Sequence, residues 1–445
     1  MTKPKVLLAT FGSYGDLHPF IAVGHELKAL GLEAVIATTE GYREKIEREG
    51  LGFHSVRPTP DQMTADLGMT VAQFASEITR RPVKYLLTKG VLPYIAQAYD
   101  DLLPAVADAQ LVAMSSFSFA AQIAAEVLGK PTINVVLSPV VLTSDEDPPV
   151  VEQLPILPAV RRLFGPDLVQ WLYDAGRWRF HFIDDVVNAQ RRKVGLPLEP
   201  AVPFIDFPYR CDEVVTLYSP LLGGARRYPS KPTTIAGHAF FDRDGPDGEV
   251  LTAETEAFLA AGDPPLVFTV GSFATLTAEQ FYGEAAETAR RLKYRAILLV
   301  GREAEAELKA RLGGPDVLVL GYAPHSLLFP RAAANIHHGG IGTTGQALRA
   351  GAPQLVTPIF GDQPDNAYRV ERLGVGGSLS FHKFTAERAA KALRPLLEEP
   401  TYRARALEVA AEVSRENGAA WLAAHIFERL KWATIQADAA APPRG

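Results

Sequence analysis

The sequence predicts an α/β protein built from two doubly wound, Rossmann-like domains that face each other across a cleft. Three observations predict it. The 445 residues are too many for one ordinary core. Short β-like runs alternate with helical patterns through the first half. The alternation then starts afresh after a Pro/Gly-rich stretch from Tyr218 to Pro265. The boundaries that follow are a first domain over 1–217, a linker region over 218–265, a second domain over 266–437 and a disordered tail over 438–445.

In chain order, "KVLLATF" reads as a strand, "PFIAVGHELKALG" as a helix ending at Gly31, and "EAVIATT" as a second strand. "QLVAMSS", "FAAQIAAEVLG" and "PTINVVLSP" repeat strand, helix, strand. The segment from Arg161 to Lys193 mixes Trp171, Trp178, Phe180 and Phe182 with seven basic residues. It admits an amphipathic helix touching a membrane or packing helices with solvated basic faces. Asp167, Asp174, Asp184 and Asp185 dilute the charge and favour packing. In the second half "PLVFTVGSF" is a strand ending in a glycine loop, followed by the strands "AILLVG", "VLVLGYA", "ANIHH" and "PQLVTPIF" with helices between them. Ligands of such sheets sit outside the carboxyl ends of the strands.

Composition narrows the function classes. An apolar fraction of 47% with 22% charged residues is that of a soluble globular protein. A net charge of −6 offers no basic excess for neutralising phosphates, so no nucleic-acid partner is expected. The single cysteine, Cys211, leaves no internal disulfide and fits a reducing cytosol. The opening "MTKPK" leads into an apolar run too short for a signal core, and a cytoplasmic location is expected.

The densest chemistry lies in "NIHHGGIGTTGQAL", a strand end, a glycine turn and a helix start. Glycines let backbone approach an anion, and the first N–H groups of the helix then bind phosphate. Gly340 to Gly345 also satisfy the G-x-G-x-x-G dinucleotide fingerprint, with Asp362 following at about the usual separation. The turn by itself therefore leaves a nucleotide sugar and a nicotinamide dinucleotide both open.

The flanks are more specific. From Gly321 to Val370, "GYAPHSLLFPRAAANIHHGG" and "GAPQLVTPIFGDQPDNAYRV" resemble the donor-binding signature of GT-B-fold glycosyltransferases. The likeness is greatest to the bacterial branch, rhamnosyltransferases included, that glycosylates natural products, sterols and lipids. "GSYGDLHPF" and "VGSF" resemble two further loops of that family. The resemblance implies roles residue by residue. Tyr322 would stack on a pyrimidine base and Ala323 would offer it backbone hydrogen bonds. His338, Gly340, Gly342 and Thr343 would meet the diphosphate, with Ser272 reaching it from the other loop. Asp362 and Gln363 would bind sugar hydroxyls, and His337 would be a packing residue. Gln346 stands where many members carry a glutamate on the ribose diol. A neutral amide accepts weaker hydrogen bonds than a carboxylate, so reading of the ribose diol is expected to be less stringent and the resemblance leaves the donor open between UDP- and dTDP-linked hexoses.

An inverting transfer needs a base within roughly 3 Å of the acceptor hydroxyl. The resemblance puts it in "GSYGDLHPF": Asp16 is the candidate base and His18 the second candidate or its partner, against the plain reading that Asp16 caps a helix starting near Pro19. Asp145-Glu146-Asp147 and Asp242-Arg243-Asp244 mimic a DxD metal motif but sit in Pro- or Gly-bearing loops and read as solvated acidic turns. No metal and no cofactor are expected, the nucleotide sugar being a co-substrate. The expectation is a metal-independent, inverting hexosyltransferase acting on a small, largely apolar hydroxylated acceptor. The alternative, an NAD(P)-dependent oxidoreductase on the same glycine turn, leaves Tyr322, His338 and "GDQ" unexplained.

Overall fold

The computed structural model describes residues 3–81, 83–142, 144–151, 154–198, 207–223, 227–228, 231–242, 250–271 and 279–440. The first sheet contains β1 (Lys5–Ala9), β2 (Glu33–Thr38), β3 (Gly52–Ser55), β4 (Leu111–Ser115), β5 (Thr132–Val136), β6 (Glu213–Thr216), β7 (Arg227–Tyr228) and β8 (Lys231–Ile235). Its order is β3-β2-β1-β4-β5-β6-β8-β7, parallel except for the β7–β8 pair. The second sheet contains β9 (Leu266–Thr269), β10 (Ala296–Leu299), β11 (Val317–Leu320), β12 (Ala334–His337), β13 (Gln354–Val356) and β14 (Gly376–Ser378). Its order is β11-β10-β9-β12-β13-β14, parallel throughout.

In each sheet the strand order turns back at a central point, between β1 and β4 and between β9 and β12. A crevice opens at such a switch point, beyond the carboxyl ends of the strands. The chain leaving β1 carries Asp16, and the chain leaving β12 carries His338. Strands such as β4, β5 and β11 are short, fully buried and rich in Val, Ile and Leu, as expected where helices cover both faces.

Helix α1 (Tyr14–Ala29) begins before Pro19, not at it. Ser13 and Asp16 form a capping box that nucleates the first turn ahead of the proline. The basic aromatic segment is a pair of short helices, α2 (Leu157–Phe164) and α3 (Pro166–Gly176), leading through a 3₁₀ turn into a helix at His181–Lys193. The donor-side helices are α4 (Ile341–Arg349) and α5 (Gln363–Leu373), and the chain closes with α6 (Gly418–Ala440).

Three expected boundaries shift. Strand β8 lies within 218–265 yet extends the first sheet, so that stretch is not only linker. Helix α6 packs on α1: Ala419, Leu422, Ala423 and Ile426 join the first sheet's core with Leu17, Phe20 and Ile21. Its i, i+3, i+4, i+7 stripe is visible in the sequence, but the stripe does not say which sheet it covers. The second domain as expected, 266–437, thus returns a helix to the first. Finally, helix continues to Ala440, into the expected tail, and 441–445 lie outside the described residues.

Candidate active site

The two switch points open onto one cleft of about 2060 Å³, lined from both domains. On the second-domain side the chain leaves β12 through His337, His338, Gly339 and Gly340 and enters α4. Gly340 is the N-cap of α4 and no side chain caps it. The first turn closes with Thr344 N–H donating to Gly340 O at 2.9 Å. The N–H groups of Ile341, Gly342 and Thr343 therefore project from a positive helix end into the cleft, a ready anion site.

His338 is wedged between two glycines. A β-carbon on Gly271 would lie 2.5 Å from its Cε1, and one on Gly340 would lie 2.5 Å from its Nε2. Burial, then the neighbouring His337 and His325, lowers its pKa to about 3, so the imidazole is neutral at pH 7 and donates from one nitrogen. Its Nδ1 is sealed from water without a partner among the described residues. Ser272 follows Gly271 but lies outside the described residues. His337 is fully buried and structural: its Nδ1 accepts from Gly339 N–H at 3.1 Å, which fixes Nε2 as the donor to Gln354 Oε1 at 3.0 Å.

Tyr322 lines the cleft with 45% of its surface exposed, and Ala323 is buried beside it. Asp362 and Gln363 open α5 at the cleft wall. Gln363 Oε1 accepts from Ile359 N–H (2.8 Å) and Phe360 N–H (3.2 Å), leaving its amide N–H groups for a hydroxyl. Asn366, which the sequence reading missed, ties these parts together. Its Nδ2 donates to Gly339 O and to Asp362 Oδ2, both at 2.8 Å, and its Oδ1 accepts from Ser138 of the first domain at 3.4 Å. The i, i+4 spacing of Asp362 and Asn366 was the available signal.

Across the cleft, Asp16 occupies the first turn of α1, and its Oδ2 accepts from Ser13 N–H at 2.8 Å and Ser13 Oγ at 3.3 Å. Cap and cleft residue are thus one side chain, not competing readings. Gly12 makes this possible: at φ +136° a β-carbon there would stand 2.2 Å from Asp16 Oδ2. Tyr42 donates to Gly12 O at 3.0 Å and pins the loop. Burial raises the Asp16 pKa to about 6 against the opposing Ser13 hydrogen bonds. The Asp362 pKa rises to about 7 through burial, with Asp16 across the cleft adding to it. His18 also lines the cleft, its ring 5.3 Å from Tyr14 and 4.9 Å from Phe241 between centroids. This wall also carries the apolar side chains of Phe74, Leu87, Phe117, Leu137, Val141 and Trp178.

The acidic motifs are not solvated turns. Asp147 bonds Arg369 at 2.8 Å and Arg372 at 2.5 Å, clasping a first-domain loop to α5. Asp242 bonds Arg349 at 2.6 Å and Gln346 at 2.9 Å, while Asp244 lies outside the described residues. Gly345, third glycine of the fingerprint, makes room for His238, whose ring atoms would come within 2.6 Å of a β-carbon there. Leu163, Phe164, Trp171 and Trp178 of the basic aromatic segment are exposed. Among the described residues no helix is long and apolar enough to cross a membrane.

Comparison with known proteins agrees with this geometry. Residues 6–141 match the glycosyltransferase family 28 N-terminal domain, and residues 296–427 match the erythromycin biosynthesis protein CIII-like C-terminal domain. The chain is 33% identical over 422 residues to glycosyltransferase GtfC of Amycolatopsis orientalis, covering 94% of this chain and 95% of that protein. It is 29% identical over 436 residues to O-mycaminosyltylonolide 6-deoxyallosyltransferase of Streptomyces fradiae, covering 93% and 94%. The fold is similar to that of glycosyltransferase VinC in complex with dTDP, with a TM-score of 0.67 at 20% identity over 96% of this chain and 100% of that one.

Proposed function

Because this chain belongs to the GT-B-fold glycosyltransferases of natural products, as its likeness to GtfC along nearly its whole length shows, we propose that it moves a hexose, with inversion and without a metal ion, from a dTDP- or UDP-linked donor to a hydroxyl of a small lipophilic acceptor in the cytosol. The observation that carries this reading is the pairing of an uncapped helix end beside a neutral His338 with a carboxylate on the opposite wall.

In the proposed reaction the diphosphate sits on the N–H groups of Ile341, Gly342 and Thr343, with His338 beside it and the base on Tyr322 and the Ala323 backbone. Asp362 and Gln363 hold the sugar hydroxyls. The acceptor lies against the apolar side chains of the first-domain wall with its hydroxyl toward Asp16 and His18. Asp16, ionised above pH 6, takes the hydroxyl proton as the oxygen bonds the anomeric carbon. The bond from that carbon to the phosphate oxygen breaks from the opposite face, and the electron pair leaves on the nucleoside diphosphate. The helix end and His338 stabilise that departing charge, the part a metal ion plays elsewhere.

A thermal-shift screen with dTDP, UDP and NAD tests the reading, since a ligand of the folded state raises its midpoint. The expected result is a rise with dTDP at least as large as with UDP, none with NAD, and transfer that persists in EDTA. A rise with NAD alone would instead support the oxidoreductase.

A further inference from the structure

Asp242 lies seven residues past the end of β8, on the crossover from the first sheet toward the second domain, and its side chain reaches α4. There it forms a closed triad. Gln346 Nε2 donates to Asp242 Oδ1 at 2.9 Å, Arg349 Nη2 donates to the same Oδ1 at 2.6 Å, and Arg349 Nη2 also donates to Gln346 Oε1 at 2.8 Å. Phe240 from the same crossover lies under the Arg349 guanidinium, 4.0 Å from ring centroid to carbon, and holds it in place. Burial works against the Asp242 charge, but the Arg349 and Gln346 hydrogen bonds outweigh it and keep the carboxyl below its ordinary range.

The triad fixes which way the Gln346 amide faces. An ionised carboxylate only accepts and a guanidinium only donates, so a single orientation satisfies both partners: NH₂ toward Asp242, carbonyl toward Arg349. Gln346 lines the cleft on the helix whose N-terminus is the phosphate site. It stands five residues beyond Ile341, about 7.5 Å along the axis, the reach from a bound diphosphate to the adjoining pentose. What remains of the amide for that pentose is one N–H and one carbonyl lone pair, both set by Asp242 and Arg349.

We propose that Asp242 is a positioning residue that, through Gln346, sets the preference of the site between ribonucleoside and 2′-deoxyribonucleoside diphosphates. The inference rests on the nucleotide-sugar reading above and deepens it. Asparagine at 242 both donates and accepts, so it releases the Gln346 amide to turn its carbonyl toward a 2′-hydroxyl.

UDP and dUDP differ only in that hydroxyl, and calorimetric titration of both against the full chain isolates it. In Asp242→Asn the affinity ratio of UDP to dUDP should rise at least threefold, with Asp242→Glu restoring the original ratio. In a Gln346→Ala background the Asp242→Asn change should leave the ratio unmoved, because the effect travels through the amide. Arg349→Met, which removes the donor to both Asp242 and the Gln346 carbonyl, should raise the ratio as Asp242→Asn does and serves if that variant does not fold. An unchanged ratio in both variants, or the same shift without Gln346, would overturn the inference. If the unmodified protein binds UDP, dUDP and dTDP not at all, the nucleotide-sugar reading itself fails. Binding with an unmoved ratio removes only the role of Asp242.

Discussion

The two ends of the cleft are built from the same device and put it to opposite uses. In each domain a strand at the switch point runs through glycines into a helix whose first N–H groups have no helical partner. At α1 the chain fills that vacancy itself: the Ser13 side chain accepts from Gly15 N–H, and Asp16 reaches back to Ser13 N–H. At α4 the N-cap is Gly340, which has no side chain to offer, and the helix end stays open. A self-capped end places a half-buried carboxylate at the cleft with its pKa pushed up to about 6, suited to taking a proton. An open end presents a positive dipole, suited to holding a phosphate. The side chain at the helix start, not the fold around it, separates the two tasks.

The largest effect that would break this comparison is at the self-capped end. Asp16→Asn keeps the size and an acceptor for Ser13 N–H but cannot take a proton, so transfer should fall by about 10²–10⁴-fold. Steady-state turnover measures it. Near-normal turnover together with a dead His18→Ala would move the proton to His18.

A smaller and sharper effect is the dependence on pH. The base must be ionised, so kcat/KM should fall about tenfold per unit below pH 6 and level off above it. Asp16 and Asp362 both have folded-state pKa values above their ordinary range. The fold therefore binds those protons more tightly than the unfolded chain does. Their contribution to stability is present in full at acid pH and is lost as pH rises through about 7. Thermal midpoints should show Asp16→Asn gaining on the parent between pH 4 and pH 7, whereas a purely structural cap would lose at every pH.

Much of this was legible in the sequence because it depends on short-range pattern. Buried apolar runs located the strands, and the glycines with the flanking "GYAPH" and "GDQ" placed Tyr322, His338 and Asp362 on one cleft wall. The spacing of Ser13 and Asp16 also carried the capping box, hidden by attention to Pro19. What the sequence withheld are pairings between distant segments. Nothing local says that Asp242 closes on Gln346 and Arg349, that Asp147 clasps Arg369, or that α6 returns to α1. Such contacts depend on how two domains meet, and an acidic triplet in a loop looks the same whether it faces water or an arginine.

The division of labour between the two helix ends is tested most directly by one crossed calorimetric measurement of dTDP affinity, in Asp16→Asn and in His338→Ala. The expected result is an affinity for Asp16→Asn within twofold of the parent, despite its lost turnover. His338→Ala, stripped of a donor wedged between Gly271 and Gly340, should bind dTDP at least tenfold more weakly. Loss of dTDP binding in Asp16→Asn, or unaltered binding in His338→Ala, would contradict the account.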